Sequence, residues 1–277
     1  MQLVSFDNGR LGILVGEHLV RDVTDWALAR CPRRVEDPLI ALIEAMGAGG
    51  KPEGPERSRA GIRIGPPLKH PSKIIAAAAN YLTHTREMKA VNPGRPEHRG
   101  IYDLGFFLKA PSSIIGPGAA IRLPYPDRRT DHEAELAVVM GRMARAVSEQ
   151  DALDYVFGYT CLLDITVRGK EDRGLRKSFD TFTPLGPCVV TRDEVPDPND
   201  LAIECRINGE VRQQDTTRSM TMQVRPLIAW ISSVMTLLPG DVIATGTPAG
   251  VGPLQPGERV EVTIERVGTL AVTVEAK

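Results

Sequence analysis

The chain has 277 residues, of which 42% are hydrophobic and 25% are charged, with a formal net charge of -1. This length suffices for one large or two modest domains with a sizeable core. The near-neutral charge gives no reason to expect nucleic acid or a membrane as a partner. No apolar stretch approaches a membrane span, and the first residues lack the pattern of a secretion signal. The four cysteines show no CxxC spacing, which favours reduced thiols and a cytoplasmic location.

The N-terminal part combines a hairpin, a helix and an irregular segment. Asn8-Gly9 lies between two apolar runs and predicts a tight hairpin. A helix is predicted from Pro38 to Met46, capped by Asp37. Residues 48 to about 70 are rich in Gly, Pro and charge and are typical of a linker. We therefore predict a small N-terminal α/β domain with its linker at residues 1–70.

The remaining residues, 71–277, are predicted to form a larger domain in which strands dominate. Apolar runs predict strands at residues 74–79 and 106–109, and alternation after residue 259 predicts β hairpins at the end. Helices are expected to begin at Ser148, which has capping-box spacing to Asp151, and to span residues 224–237. The predicted fold class is a mixed, β-rich α+β protein.

Three carboxylates stand at the ends of two apolar runs. Glu133 and Glu135 begin one run, and Asp164 lies in the other. Alternate residues of a strand share a face, so the two glutamates are expected to point the same way. Burying like charges without a counter-charge is costly, and a divalent cation would supply that charge. All-oxygen ligands favour Mg²⁺, Mn²⁺ or Ca²⁺ over Zn²⁺.

The alternative is that the glutamates lie on a solvated strand face and that Asp164 caps a turn. The run that follows Glu135 lacks the polar alternation that a wet face would show. His132 is expected to face the opposite side of its strand and is not counted as a ligand.

His84 and Glu87 are three residues apart, which makes their side chains neighbours on a helical turn. A carboxylate beside an imidazole orients the ring and raises its basicity, as a general base requires. By spacing alone, an ordinary exposed pair explains the pattern equally well.

Cations occur near these acids in the chain, at Lys109, Arg168 and Lys177. Lys177 lies in a predicted loop, where it could stabilise an oxyanion, bind a substrate carboxylate or be simply solvated. The segment from Thr245 to Gly252 has small residues whose N–H groups could approach an anion. It matches neither a P-loop nor a dinucleotide fingerprint.

Taken in order, these segments resemble the fumarylacetoacetate hydrolase family over residues 73 to about 270. The matching segments are Asn80-Tyr-Leu-Thr-His84-Thr-Arg-Glu87, Phe107-Leu-Lys109, Glu133-Ala-Glu135-Leu-Ala-Val-Val-Met-Gly141, Gly158-Tyr-Thr-Cys-Leu-Leu-Asp164, Lys177-Ser-Phe-Asp180-Thr-Phe-Thr-Pro-Leu-Gly-Pro and Pro239-Gly-Asp-Val-Ile-Ala-Thr-Gly-Thr247.

The resemblance implies a twisted β-sheet roll as catalytic domain, a homodimer, and a metal site for Mg²⁺ or Mn²⁺. The metal ligands would be Glu133, Glu135 and Asp164. The base dyad would be His84 and Glu87 on a lid, with Lys177 in contact with the substrate. Further substrate contacts are expected at Tyr81, Lys109, Arg168, Glu171 and Thr247.

One departure from the family pattern concerns residues 168–171. Many relatives carry Arg-Asp-x-Gln, in which the Gln helps polarise the attacked carbonyl, whereas this chain has Arg168-Gly-Lys-Glu171. Glu171 can accept a hydrogen bond where the Gln would donate one, and Lys170 or Lys177 could compensate.

The function that the resemblance implies is hydrolytic C–C cleavage of an acylpyruvate-type 2,4-diketo acid through a metal-bound enolate, in aromatic catabolism. Glu171 gives weight to the alternatives, which are an oxaloacetate-type decarboxylase and an isomerase or hydratase of 2-oxo acids. A non-catalytic binding protein is a further alternative, although such a protein needs no base dyad. A lid at residues 88–102 is expected to select substrates, with Arg95 and Arg99 receiving a second carboxylate.

Overall fold

The computed structural model describes residues 1–7, 9–31, 36–91 and 100–277, and its regular structure is mainly β. The strands of the described residues are β1 Gln2–Phe6, β2 Arg10–Val15, β3 Leu19–Asp22, β4 Glu56–Ser58, β5 Ile64–Gly65, β6 Ile74–Ala77, β7 Phe106–Lys109, β8 Ile114–Ile115, β9 Ala120–Leu123, β10 Thr130–His132, β11 Ala134–Met140, β12 Val156–Leu163, β13 Thr166–Val167, β14 Thr183–Thr191, β15 Ala202–Ile207, β16 Glu210–Thr216, β17 Val242–Ala244, β18 Gly252–Pro253, β19 Arg259–Ile264 and β20 Gly268–Ala276.

Short helices connect these strands. They are α1 Thr24–Arg30, α2 Pro38–Gly47, α3 Leu82–Val91, α4 Ile101–Leu104, α5 Arg173–Lys177 and α6 Val224–Val234, with 3-10 turns at Pro111–Ser113, Ala152–Tyr155, Arg192–Glu194 and Thr217–Ser219. Over the ranges described, none of these helices has the length and apolarity that crossing a membrane requires.

Three sheets make up the fold of the described residues. The main sheet has 12 strands with the central order β1-β14-β12-β11-β17-β6-β7, and β15, β16, β19, β20 and β9 form a five-stranded sheet. A small sheet of β13, β10 and β18 completes the set. Antiparallel pairs predominate, and β6 pairs with β17 in parallel. The β-rich, mixed fold predicted from the sequence is confirmed.

Strand β11 lies inside the main sheet and is covered on both faces. Leu136 and Val138 belong to the main core, whereas Ala137 and Val139 pack in a second core together with residues of α1 and α2. This double burial explains why the run shows no polar alternation. Burying each large aliphatic side chain contributes about 1.5–3 kcal/mol, so the strand is a firm base for the residues at its start.

The N-terminal strands continue the main sheet, because β1 pairs with β14. The predicted hairpin is confirmed by the pairing of β1 with β2, although Asn8 itself lies outside the described residues. The predicted helix is α2, and the Leu39 N–H donates to the Asp37 carboxylate as an N-cap should. The prediction of a plain linker at residues 48–70 is wrong over β4 and β5, which pair with β3 and β1. The domain division after residue 70 stays a prediction.

Two helix predictions need correction. Ser148 and Asp151 do exchange the capping hydrogen bonds, yet only the 3-10 turn Ala152–Tyr155 follows them. The chain enters β12 directly afterwards, so sheet pairing prevails over the local helix signal. Helix α6 ends at Val234, three residues before the predicted end.

Candidate active site and metal centre

The strand order brings several chain segments to one edge of the main sheet. Strands β6 and β17 run in parallel, so their carboxyl ends share an edge. Strand β11 runs antiparallel to β17 and therefore begins there, where β12 ends. Helix α3 follows β6 and the loop at residues 245–247 follows β17. Side chains far apart in the sequence meet at this edge.

Glu133, Glu135 and Asp164, here called the carboxylate cluster, converge at this edge. One oxygen from each carboxylate lies within 4.8 Å of the others, and all three side chains are buried. Glu133 stands at a break between β10 and β11 instead of within one continuous strand as predicted. The backbone N–H of Asp164 donates to the Glu133 carbonyl at 2.8 Å, which fixes the two residues side by side.

Three cations surround the cluster. Lys177 Nζ contacts both Glu133, at 2.6 Å, and Asp164. Lys109 Nζ donates to Asp164 at 2.5 Å, and the Arg168 guanidinium lies 2.8 Å from Glu133. Burial alone would raise the pKa of Glu133, but the charges of Lys177 and Arg168 outweigh it and lower that pKa. Lys177 was expected in a loop, and it is instead the last residue of α5.

Glu135 is the exception within the cluster. It accepts the Gly246 N–H at 2.7 Å, and among the described residues no basic side chain forms an ion pair with it. Burial, followed by the charge of Asp164, raises the pKa of Glu135. A buried carboxylate beside two others without its own cation fits a site for a divalent cation with oxygen ligands. The three residues of the carboxylate cluster could hold such an ion.

Gly246 is required at its position for two reasons. Its φ of 97° lies in the left-handed region, and an added Cβ would come within 2.7 Å of the Asn80 Cβ. The glycine lets its backbone N–H reach the Glu135 carboxylate. The small residues of this loop had predicted that its N–H groups could approach an anion.

His84 and Glu87 form the predicted pair on α3. His84 Nδ1 lies 3.4 Å from Glu87 Oε2, and the Gly250 N–H donates to the other oxygen of Glu87 at 3.0 Å. Burial would raise the pKa of Glu87, but the hydrogen bonds from His84 and Gly250 prevail and lower it. Glu87 therefore remains ionised beside the imidazole, whose Nε2 makes no contact with it.

A cavity of about 690 Å³ joins these groups. Its walls include His84, Glu133, Glu135, Arg168, Lys177 and Thr247. This volume is within the range of small-molecule sites. The structure thus brings the predicted base, two members of the carboxylate cluster (Glu133 and Glu135) and Thr247 around one space.

Tyr81 does not belong to this space. Its side chain is completely buried in the main core, and burial raises the pKa of its hydroxyl. Tyr81 does not line the cavity, and its contact with substrate stays a prediction.

Glu171 does not line the cavity, although its carboxylate lies next to Gly169, which does. Its carboxylate is exposed and forms a two-pronged ion pair with Arg128, at 2.9 and 3.0 Å. The structure does not place it where the Gln of relatives was expected to polarise a carbonyl. The lid residues Arg95 and Arg99 lie outside the described residues.

We expect Glu171→Gln to change kcat/KM by less than about threefold, because an exposed ion pair contributes only about 0.2–1 kcal/mol. Steady-state kinetics of the variant and the wild type test this expectation. A loss of 100-fold or more would show that Glu171 acts in the reaction after all.

Gln213 was not predicted from the sequence. The side-chain amide of this buried residue of β16 donates to Thr247 Oγ1 at 2.7 Å, and its side-chain oxygen accepts the Ala134 N–H at 3.0 Å. It thereby links the Thr247 loop to the strand that carries the glutamates. No local signal marks it, because the rest of β16 is mostly exposed and polar.

Comparison with known proteins assigns the chain to a class. Residues 73–275 match the family model "Fumarylacetoacetate (FAA) hydrolase C-terminal". The chain belongs to the fumarylacetoacetate hydrolase family and is an enzyme of that family, as the sequence predicted.

Two maleylpyruvate hydrolases resemble the chain over its full length, and a tautomerase resembles most of it. A maleylpyruvate hydrolase of Aquipseudomonas alcaligenes is 41% identical over 288 residues, covering 100% of both chains. A crystal structure of maleylpyruvate hydrolase from Sphingobium sp. SYK-6, in complex with manganese(II) and pyruvate, has a TM-score of 0.82 and 38% identity. That match covers 100% of this chain and 99% of the other. The mitochondrial oxaloacetate tautomerase fahd2 of Xenopus laevis is 39% identical, covering 77% of this chain and 69% of its own.

Proposed function

We propose that this enzyme hydrolyses the C–C bond of an acylpyruvate, a 2,4-diketo acid, to release pyruvate and a carboxylic acid. The observation that carries the proposal is that Glu133 and Glu135 line one cavity with His84, while Asp164 lies within 4.8 Å of both glutamates. Likeness to two maleylpyruvate hydrolases supports it, since maleylpyruvate is itself an acylpyruvate.

His84 would act as the general base. Glu87 holds Nδ1 and leaves Nε2 to take a proton from water. The hydroxide equivalent adds to the carbonyl carbon remote from the carboxylate, and the bond between that carbon and C3 of the pyruvate unit then breaks. The electron pair stays on C3, which accepts a proton to give pyruvate. Ionised Glu87 stabilises the imidazolium that forms.

The cations and the hydroxyl would place the substrate. Lys177 and Arg168, at the edge of the carboxylate cluster, offer N–H donors to the oxyanion and to the 2-oxo acid. Lys109 is fully enclosed beside Asp164, and burial outweighs that carboxylate and lowers the pKa of Lys109. We assign Lys109 to holding Asp164 in position rather than to the expected direct contact with substrate.

Glu133, Glu135 and Asp164 would hold the divalent cation. When bound, Mg²⁺ or Mn²⁺ supplies positive charge next to the 2-oxo-acid oxygens and so withdraws electrons from the bond to be broken. The oxygen ligands suit Mg²⁺ and Mn²⁺ alike, so we propose either ion as the resident metal.

Acetylpyruvate turnover tests the proposal. Chelator-treated enzyme should be inactive, and added Mg²⁺ or Mn²⁺ should restore equal amounts of pyruvate and acetate. Loss of acetylpyruvate without release of pyruvate would contradict C–C hydrolysis.

Thr247 would donate a hydrogen bond to the substrate carboxylate. Its oxygen already accepts from Gln213, which leaves its own proton free to point into the cavity. Thr247→Val should raise KM about tenfold, the value of one hydrogen bond to a charged group, with a smaller change in kcat. Thr247→Ser should retain the wild-type KM, and an unchanged KM in the Val variant would exclude this role.

A 2-oxo-acid tautomerase or isomerase is the second candidate, because an oxaloacetate tautomerase is among the relatives. The same base and cluster suit proton transfer next to a carbonyl. Glu171, which had favoured a decarboxylase or isomerase, lies off the cavity wall and no longer supports either. Nuclear magnetic resonance of products from acetylpyruvate and oxaloacetate separates these activities.

The proposal extends to a cytoplasmic homodimer that binds neither nucleic acid nor membranes. The four cysteines are free thiols, as a reducing compartment requires. Family resemblance supports the dimer, and light scattering on the purified protein measures its mass.

A further inference from the structure

One wall of the active-site cavity carries an excess of positive charge. Besides Arg129, Arg168 and Lys177, the cavity is lined by Lys170, Arg173 and Arg176. These last three residues, here called the basic arm, come from a single segment at residues 170–176 that leads into and forms α5.

The first three cations have carboxylate partners. Arg129 pairs with Asp131 at 2.7 Å, Arg168 with Asp131 and Glu133, and Lys177 with Glu133 and Asp164. Their charges are therefore balanced by the protein itself.

The basic arm has no such balance within the described part of the chain. No carboxylate pairs with Lys170 or Arg173 there. The Arg176 guanidinium donates only to backbone carbonyls, those of Glu171 at 2.7 Å and Val167 at 3.2 Å. Burial lowers the pKa of Arg176 and the charges of Arg168 and Arg173 lower it further, which the charges of Glu133 and Glu171 offset only in part.

The segment also contains two acids, Glu171 and Asp172, and the exposed Asp172 carboxylate accepts the Gly174 N–H at the start of α5. Glu171 sits between Lys170 and Arg173 in the sequence, yet it pairs with Arg128 and is absent from the cavity wall. Both acids of the segment are therefore absent from the cavity wall that its three cations line. Like charges gathered in a cavity without counter-ions favour an anionic ligand, and guanidinium groups suit a carboxylate.

We infer that Lys170, Arg173 and Arg176 bind the far carboxylate of a dianionic substrate, so that the preferred substrates are 2-oxo acids with a second carboxylate at the opposite end. This inference rests on the proposed function, because it takes the 2-oxo-acid end to lie at the carboxylate cluster. The expectation that Arg95 and Arg99 receive this carboxylate concerns residues outside the described part of the chain and stays a prediction.

The direct test is binding of two probes that differ in one group. Calorimetry on Mn²⁺-loaded enzyme compares 2-oxopimelate, with a terminal carboxylate, and 2-oxoheptanoate, with a methyl group there. We expect the dicarboxylate to bind about 10–100-fold more tightly, as charge-assisted hydrogen bonds would give. The Lys170→Gln/Arg173→Gln double variant should bring this ratio below about threefold and leave 2-oxoheptanoate binding unchanged. Arg176 is left unchanged in this variant because it also donates hydrogen bonds to the backbone carbonyls of Glu171 and Val167.

Arg145→Gln is the matched control, since Arg145 is exposed and does not line the cavity, and it should keep the wild-type ratio. Equal binding of both probes by the wild type, or an unchanged ratio in the double variant, would overturn the basic arm even if acetylpyruvate is cleaved. If the enzyme prefers the dicarboxylate but cleaves no acylpyruvate, the basic arm is upheld and only the proposed hydrolase activity is refuted. Failure of both probes to bind would refute both.

Discussion

Glu135→Gln should abolish metal-dependent turnover while leaving the metal-free fold intact. Glu135 has no cation of its own, so replacing its carboxylate by the isosteric amide leaves no buried cation unpaired. Loss of one of the three ligands should remove the stabilisation that Mn²⁺ gives to the wild type. Since metal-ion catalysis contributes several kcal/mol, we expect kcat to fall by at least about 10³-fold.

Asp164→Asn provides the contrast. It removes the partner of Lys109 and Lys177 and should lower the free energy of unfolding of the metal-free protein by about 3–5 kcal/mol. Chemical denaturation of both variants, with and without Mn²⁺, measures these effects. An intact Mn²⁺ response in Glu135→Gln would remove Glu135 from the metal centre.

His84→Ala is expected to separate chemistry from metal binding. Its imidazole lies in the cavity but is not part of the carboxylate cluster. Removing a general base should lower kcat by about 10²–10⁴-fold. The Mn²⁺ dissociation constant should stay within about threefold of wild type, because the three carboxylates are untouched.

Glu87→Gln should be the milder change, since the imidazole remains and loses only its charged partner. Kinetics and Mn²⁺ calorimetry on both variants complete the test. Should His84→Ala lose Mn²⁺ affinity together with activity, His84 would be a ligand or a structural residue and another base would have to be sought.

The sequence predicted best what depends on local pattern. The apolar run after Glu135 predicted a strand buried on both faces, and the period-two spacing predicted that Glu133 and Glu135 converge. The strand is interrupted at Glu133, which the spacing could not reveal. The backbone hydrogen bond from Asp164 to Glu133 nevertheless keeps these two acids together.

What the sequence could not predict arises from contacts between distant segments. Gln213 reaches Thr247 across 34 residues, and Lys109 reaches Asp164 across 55. Glu171 looked like a substitute for a catalytic Gln because only its position in the chain was visible. Its true partner, Arg128, lies 43 residues earlier and draws it out of the cavity. Such choices depend on tertiary packing, which periodicity does not encode.

A crystal of the enzyme soaked with Mn²⁺ and pyruvate, measured at the manganese absorption edge, tests the metal centre most directly. We predict one anomalous peak among Glu133, Glu135 and Asp164, about 2.0–2.6 Å from an oxygen of each. Pyruvate should occupy the same cavity beside Thr247. A map without a peak there, or with the manganese bound at another group of residues, would contradict the assignment of these three carboxylates and the chemistry built on it.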